Sequence, residues 1–217
     1  MKTVSINPTP TTFYLPANAL RAIYCAAAKE EEYRYYLRGV FVEKSHEGIA
    51  LIATNGFILM RYFLGEQAFV GEGCFTQSAG ERSGFILRAD VSEKAFKARS
   101  KPGLWVYGDI ETGLLQFVER IPDGDGTHQQ LGALAFTRID GAFPDWRRVM
   151  PAPSEKSVPA IFNVNLLSRF KAAQTALGLG GKPPKPIRIT APECGAPMSV
   201  EFMGCPDFAG VIMPMTH

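Results

Sequence analysis

The sequence predicts an α+β fold assembled from one small unit used three times: a strand, a helix, then about three strands. Two observations carry this. Three stretches align, "TFYLPANALRAIYCAA" from Thr12, "GFILRADVSEKAFKAR" from Gly84 and "PAIFNVNLLSRFKAAQ" from Pro159. Each opens with a short apolar run and then reaches Asn18, Asp90 or Asn165, spaced by 72 and 75 residues. Short β-rich runs bounded by Gly, Pro and Asp then follow each of them.

Asn and Asp cap helices because their side-chain oxygens accept the orphan N–H groups of a first turn. A helix is therefore expected after each. The first places Leu20, Ile23, Tyr24 and Ala27 on one face, and the third places Leu166, Phe170, Ala173 and Leu177 there. The middle one is weaker, with Val91, Ala95 and Ala98. Pro102 with Gly103 stops the second helix, and Gly178, Gly180, Gly181, Pro183 and Pro184 stop the third. Strands are expected at "LRGVFVEK", "GIALIAT" and "ILMRYFLG", then at "GLWVYGD", "GLLQFVER" and "ALAFTRI", and finally at "PIRITAP", "MSVEFMG" and "AGVIMPM". The stretches "EQAFVGEGCFTQSAGERSG" and "PDGDGTHQQLG" read as polar, Gly-rich loops. An odd number of units leaves one without an internal mate, so something outside the chain should cover its open edge.

The chain has 217 residues, 46% hydrophobic and 20% charged, an ordinary globular composition. No apolar run is long enough to span a membrane. The start, "MKTVSINPTPTTF", lacks the apolar core of a signal peptide, so the expected location is cytoplasmic. Cys25, Cys74, Cys194 and Cys205 form no C-x-x-C pair and read as free thiols. A net charge of +2 does not announce a nucleic-acid binder, although local stripes of Lys and Arg matter more than the sum.

One connector is unusually rich. "FPDWRRVMP", Phe143 to Pro151, combines two aromatics, two prolines and two adjacent arginines. It closely resembles the linker of the bacterial sliding clamp, the beta subunit of DNA polymerase III. "YRYYLRGVFVEKSHEGIALIATNGFILMRY" resembles the clamp's middle domain, with its A-T-D-G-H-R-L-like turn. The final "GVIMPMTH" resembles the clamp's V-M-P-M-R-L end. The resemblance spans Phe13 to Met215. It implies a DNA-clamp fold, with sheets outside and helices lining the inner face. It also implies a shortened form: a two-unit domain over residues 1–142 (units about 12–66 and 84–140), a linker over 143–156, and a half-domain unit over 157–217.

In that family the linker, the turn and the tail form a pocket for short peptides of polymerases and other replication proteins. By position, the resemblance implies Thr54, Gly56, Phe57, Ile58 and Leu59 from the turn. It implies Pro144, Arg148 and Val149 from the linker, and Val211, Ile212, Met213, Pro214 and Met215 from the tail. Flexible, polarizable Met side chains suit varied apolar partners, and prolines hold a wall without ordering cost. A plainer reading of Phe143 and Trp146 is that they staple two units together. Asn55, Phe57 and Ile58 replace the family's Asp, His and Arg, and Thr216 and His217 replace its Arg and Leu, so peptide specificity is expected to differ.

The family encircles duplex DNA through non-specific phosphate contacts, which are salt-sensitive. The helix stripes that could face DNA hold Lys94, Lys97 and Lys101 in the second helix and Arg21 and Lys29 in the first. Arg169 and Lys171 lie in the third, with Lys182 and Lys185 after it. Charged solvent faces are ordinary on helices, and only the resemblance turns these stripes toward DNA. Family rings use twelve units, so four such chains could close one as a homo-oligomer. The rival reading is a clamp-derived protein-binding accessory or decoy that encircles nothing.

Catalysis and metals find little support. "DGDGTH" looks like the start of a calcium loop but lacks the closing Glu. His46, His128 and His217 are scattered, and no G-x-S-x-G, P-loop or G-x-G-x-x-G occurs. No enzyme, cofactor or metal is expected.

Overall fold

A computed structural model describes residues 2–29, 33–66, 68–79, 82–89, 102–120, 127–154 and 158–215. The first unit holds β1 (Lys2–Ser5), β2 (Thr12–Pro16), α1 (Ala17–Tyr24), β3 (Val40–Ser45), β4 (Gly48–Thr54) and β5 (Ile58–Leu64). β6 (Phe69–Val70) and β7 (Gln77–Ala79) follow. The second unit has β8 (Arg82–Ala89), β9 (Leu104–Asp109), β10 (Leu114–Arg120) and β11 (Thr127–Ile139). The third has α2 (Val164–Ala176), β12 (Ile187–Thr190), β13 (Met198–Phe202) and β14 (Phe208–Ile212). Among the described residues, no helix is long and apolar enough to cross a membrane.

The strands run in the order β12-β13-β14-β5-β4-β3-β8-β11-β10-β9-β2-β6, with β1 on β11 and β7 on β8. The first strands of units one and two trade places. β2 leaves its own unit to pair with β9, Leu15 opposite Val106, while β8 pairs with β3, Leu87 opposite Val40. Each unit thus completes the other's sheet, so neither leaves an open edge at that point. β14 then joins the outer edge of β5, Val211 opposite Leu59.

Period-2 alternation divides the side chains between two cores. The larger lies under the helices. It joins Leu20 and Ile23 of α1, Phe170 and Ala173 of α2, and inward residues such as Val40, Val42, Phe85, Val106 and Val200. The smaller lies on the opposite face of β3, β4, β5 and β8. There Phe41, Ile52, Leu59, Ile86 and Val211 are covered by Phe143 and Trp146 of the linker. Fully burying a side chain such as Phe170 stabilises by roughly 1.5–3 kcal/mol. Gly210 makes room for that ring, since a Cβ there would lie 2.6 Å from Phe170 Cε1.

Several expectations need correction. The cap of α2 is Asn163, not Asn165: its side chain accepts the Asn165 N–H at 2.9 Å. α1 begins at Ala17 after Pro16, which places Asn18 inside the first turn. Proline has a preset φ and no N–H, so it leads into the helix without a side-chain cap. The third unit's opening run, residues 158–163, forms no strand; the Met215 N–H donates to its Ile161 carbonyl at 2.8 Å. The two segments read as loops contain β6, β7 and the first residues of β8 and β11. Asp90 and the middle helix expected after it lie outside the described residues.

Candidate partner-binding groove

The turn between β4 and β5 is built from its own polar atoms. Asn55 Oδ1 accepts the N–H groups of Phe57 and Ile58, both at 3.0 Å. Thr54 Oγ1 donates to the Ile58 carbonyl at 2.7 Å and accepts the Gly56 N–H at 3.0 Å. The single amide oxygen of Asn55 closes the turn. Gly56 has φ +89, and Arg34 packs where its Cβ would be. The Arg34 guanidinium also donates to the Asn55 carbonyl at 3.4 Å. Phe57 is left 60% exposed at the tip.

The linker lies against the same face. Phe143 stacks on Phe41 at 4.7 Å and 5°. The Trp146 indole donates to Glu43 Oε2 at 2.7 Å, and Arg147 donates to both carboxylate oxygens at 2.8 and 3.1 Å. Glu43 is buried, so these three bonds compensate a desolvated charge. Arg147 also lies 4.1 Å over the Trp146 ring. Burial lowers the pKa of Arg61, whose guanidinium sits 4.1 Å over Phe63 and 5.8 Å over Trp146.

Turn, linker and tail meet along one groove of about 200 Å³. Thr54, Gly56, Phe57, Ile58 and Leu59 line it, with Pro144 and Val149 from the linker and Val211 and Met213 from the tail. The Met213 N–H donates to the Phe57 carbonyl at 2.9 Å and ties the tail to the turn. Four expected residues do not line it. Ile212 points into the helix-side core, because strand alternation sends Val211 and Met213 the other way. Arg148 is exposed beside the groove, Pro214 is half-buried, and Met215 is bonded to Ile161. The groove also includes Arg34, Leu37, Asp145 and Trp146, which the sequence resemblance does not imply. Its wall is mostly apolar, with a guanidinium and a carboxylate at its margin, a composition that suits a short peptide anchor.

The basic residues are less uniform. Lys171 is exposed on α2, and Lys182 and Lys185 are exposed beyond it. Arg21 is half-buried on α1, and Lys29 is exposed beyond the Cys25 cap of that helix. Arg169 is turned inward: it donates to the carbonyls of Cys25 and Ala27 at 3.4 and 3.1 Å. A guanidinium there complements the partial negative charge at the end of α1. Its role in this structure is to join α1 to α2. Lys94, Lys97 and Lys101 lie outside the described residues.

The repeated units, their exchanged first strands and the junction of β14 with β5 define the sliding-clamp fold. No protein-family model matches the chain, and no curated protein matches it. Solved structures do. A DNA polymerase sliding clamp from Pseudomonas aeruginosa with ligand matches 100% of this chain and 69% of its own, at TM-score 0.60 and 16% identity. The DNA polymerase III subunit beta from the same organism matches 99% of this chain and 69% of its own, at 0.57 and 15%. A DnaN sliding clamp from that organism bound to griselimycin matches 100% of this chain and 68% of its own, at 0.56 and 15%. The chain thus spans about two thirds of the length of these clamps.

Proposed function

We infer that this chain is a sliding-clamp-like processivity factor, not an enzyme, that works in the cytoplasm. It tethers replication or repair proteins to duplex DNA as a homo-oligomer and holds them by short peptides. The proposed division is a two-unit domain over residues 1–142, a linker over 143–156 and a half-domain over 157–217. The observation that carries the reading is the meeting of Thr54, Pro144, Val149 and Met213 on one groove. Tethering raises effective concentration without catalysis. Exposed Lys171, Lys182 and Lys185 supply phosphate contacts of the non-specific kind.

The test has two arms. A fluorescent peptide from a clamp-binding polymerase tail should bind and should lose affinity with Met213→Asp. The protein should also stay on circular duplex and slip off linear duplex. Equal retention on both would overturn encirclement, and no peptide binding would overturn the groove.

A second reading, a protein-binding accessory that encircles no DNA, draws on two observations. Arg169 is engaged inside the fold. The outer edge of β11 is covered by β1, Ser5 opposite Thr127 through Lys2 opposite Gln130. A ring that extends its sheet through that edge must first displace β1. This reading predicts peptide binding without a salt-dependent DNA affinity.

A further inference from the structure

Units one and two are completed by exchange, and the third unit is not. β3 receives β8 and β9 receives β2. β12 holds the same place in unit three, first strand after the helix, yet among the described residues nothing pairs with its outer edge. The consequence shows in burial. Val40 of β3 and Leu104 of β9 are buried, whereas Ile187 of β12 is 41% exposed. Ile187 stands opposite Phe202, and Ile189 opposite Val200; both partners face the core. Ile187 is therefore a core-side residue with its neighbour missing.

The missing strand has a counterpart in the same unit. Residues 158–163 stand before α2 as β2 stands before α1. Ile161 lies three residues before α2, and Tyr14 lies three before α1. Tyr14 pairs on one side with Phe69 of β6, just as the Ile161 carbonyl accepts the Met215 N–H. On its other side β2 pairs with β9; among the described residues nothing bonds the backbone of 158–163 on that side. Phe13 and Leu15 of β2 are fully buried in the helix-side core, but Ala160 and Phe162 are only partly buried.

The backbone directions also agree. The Met203 N–H bonds to the Pro186 carbonyl, so Arg188 and Thr190 point their backbone groups at β13. By alternation, those of Ile187 and Ile189 point outward from the sheet edge. On the other segment Ile161 points to Met215, so Ala160 and Phe162 point away from it. One unit thus carries a pre-helix segment that no sheet edge receives and, at β12, an edge that no strand covers. Within one copy the segment is tied to the tail beyond β14 through Met215, while the open edge lies two strands away at β12, and a two-fold axis between copies satisfies both at once.

We propose that two copies of this chain associate through their third units, residues 158–163 of each pairing antiparallel with β12 of the other to complete one clamp-like domain. This supplies a contact for the proposed oligomer, but it rests on strand topology and stands whether or not the chain binds DNA or peptide.

The test uses the full chain alone, by sedimentation and by amide hydrogen exchange over a concentration series. The wild type should sediment at twice the 23.8 kDa of one chain or a multiple of that. The amides of Ala160, Phe162, Ile187 and Ile189 should be protected when concentrated and exchange at least tenfold faster on dilution. Ile187→Asp should give a monomer with unchanged circular dichroism, and Arg188→Ala, on the solvent face, should leave the mass unchanged. A monomer at every micromolar concentration would overturn the proposal. So would an oligomer in which those four amides exchange freely. If Ile187→Asp fails to fold, the wild-type exchange pattern decides alone. Because neither DNA nor peptide is present, failure here is separate from failure of the proposed function.

Discussion

The Trp146 indole N–H reaches Glu43 across 103 positions of chain and donates to its carboxylate at 2.7 Å. With Arg147 on the same carboxylate and Phe143 stacked on Phe41, the linker becomes part of the sheet's outer core. Pro144 and Val149, which wall the groove, flank this anchor. The rigidity of the groove therefore depends on a group outside its wall.

Glu43→Ala should lower stability by about 1–3 kcal/mol, because it leaves a buried indole N–H without an acceptor. Glu43→Gln keeps an acceptor for the indole and should lose less. Urea denaturation of the two variants measures the difference. Peptide affinity should fall with Glu43→Ala although Glu43 does not line the groove. An Ala variant as stable as wild type would show that the linker is held by its aromatics alone.

Gly56 predicts a local effect. Its φ of +89 is poorly tolerated by a β-branched side chain, and a Cβ would sit 2.9 Å from Arg34 Nη2. Gly56→Val should cost roughly 1–3 kcal/mol and should misplace Phe57. Gly56→Asn should cost less, since Asn visits this region more readily. Thermal melts rank the two, and peptide titration should follow the same order.

The repeat was legible because an apolar run, a helical pattern and then alternating runs recur at nearly constant spacing, although Asn18 and Asn165, which marked that spacing, are not the caps. The exchange of β2 and β8 was not, because strand patterning states which face is buried and not which neighbour supplies the edge. Asn163 and Asn165 compete for one cap in "FNVN", and both are the same residue type; Asn163 takes it from an extended backbone and accepts the Asn165 N–H. Arg34 and Leu37 were missed because "LRGVFVEK" reads as one strand from Leu37, whereas Tyr35–Leu37 form a 3-10 turn with Arg34 at its start, and both residues reach the groove. Ile212 was assigned with its neighbours by motif, although alternation alone would have turned it inward. Arg169 looked like part of a basic stripe. Nothing local to α2 announces that α1 ends within its reach.

Arg169 and Lys171 test the proposed DNA contacts apart from structural ones. Arg169→Ala should destabilise by about 1 kcal/mol through loss of the bonds to Cys25 and Ala27, with little change in the salt dependence of DNA binding. Lys171→Ala should do the reverse: unchanged stability, and a slope of log K against log salt smaller by about 1. Fluorescence anisotropy over a salt series, beside denaturant melts, tests both. A shallower slope for Arg169→Ala would return that residue to the DNA-facing set.

The thiols predict a pH dependence. Burial pushes Cys74 up to about 11, and its Sγ lies against the Thr12 carbonyl at 3.5 Å. The fold holds this thiol neutral, while the unfolded chain ionises it near the ordinary 9.0. Its contribution is thus fully present below about pH 9 and is lost as pH rises toward 11. Cys74→Ala should flatten stability against pH across that interval, whatever its absolute cost in packing. Exposed Cys194 should be labelled by a thiol reagent well before Cys74.

The strand β1 predicts how assembly is limited. It pairs with Thr127–Gln130, the stretch of β11 that would otherwise be a bare sheet edge. An uncovered edge offers unpaired N–H and C=O groups to any incoming strand. Deleting residues 1–6 removes this cover while leaving β10 on the other side of β11. If β1 restrains growth, the truncated chain should form larger species than the full chain at equal concentration. Sedimentation of both, with Thr3→Pro as a milder disruption of the same pairing, measures it. Closed species of uniform size from the truncated chain would favour ring formation through β11. A broad distribution would mean that the exposed edge aggregates, and identical masses for all three proteins would remove β1 as the limiting element.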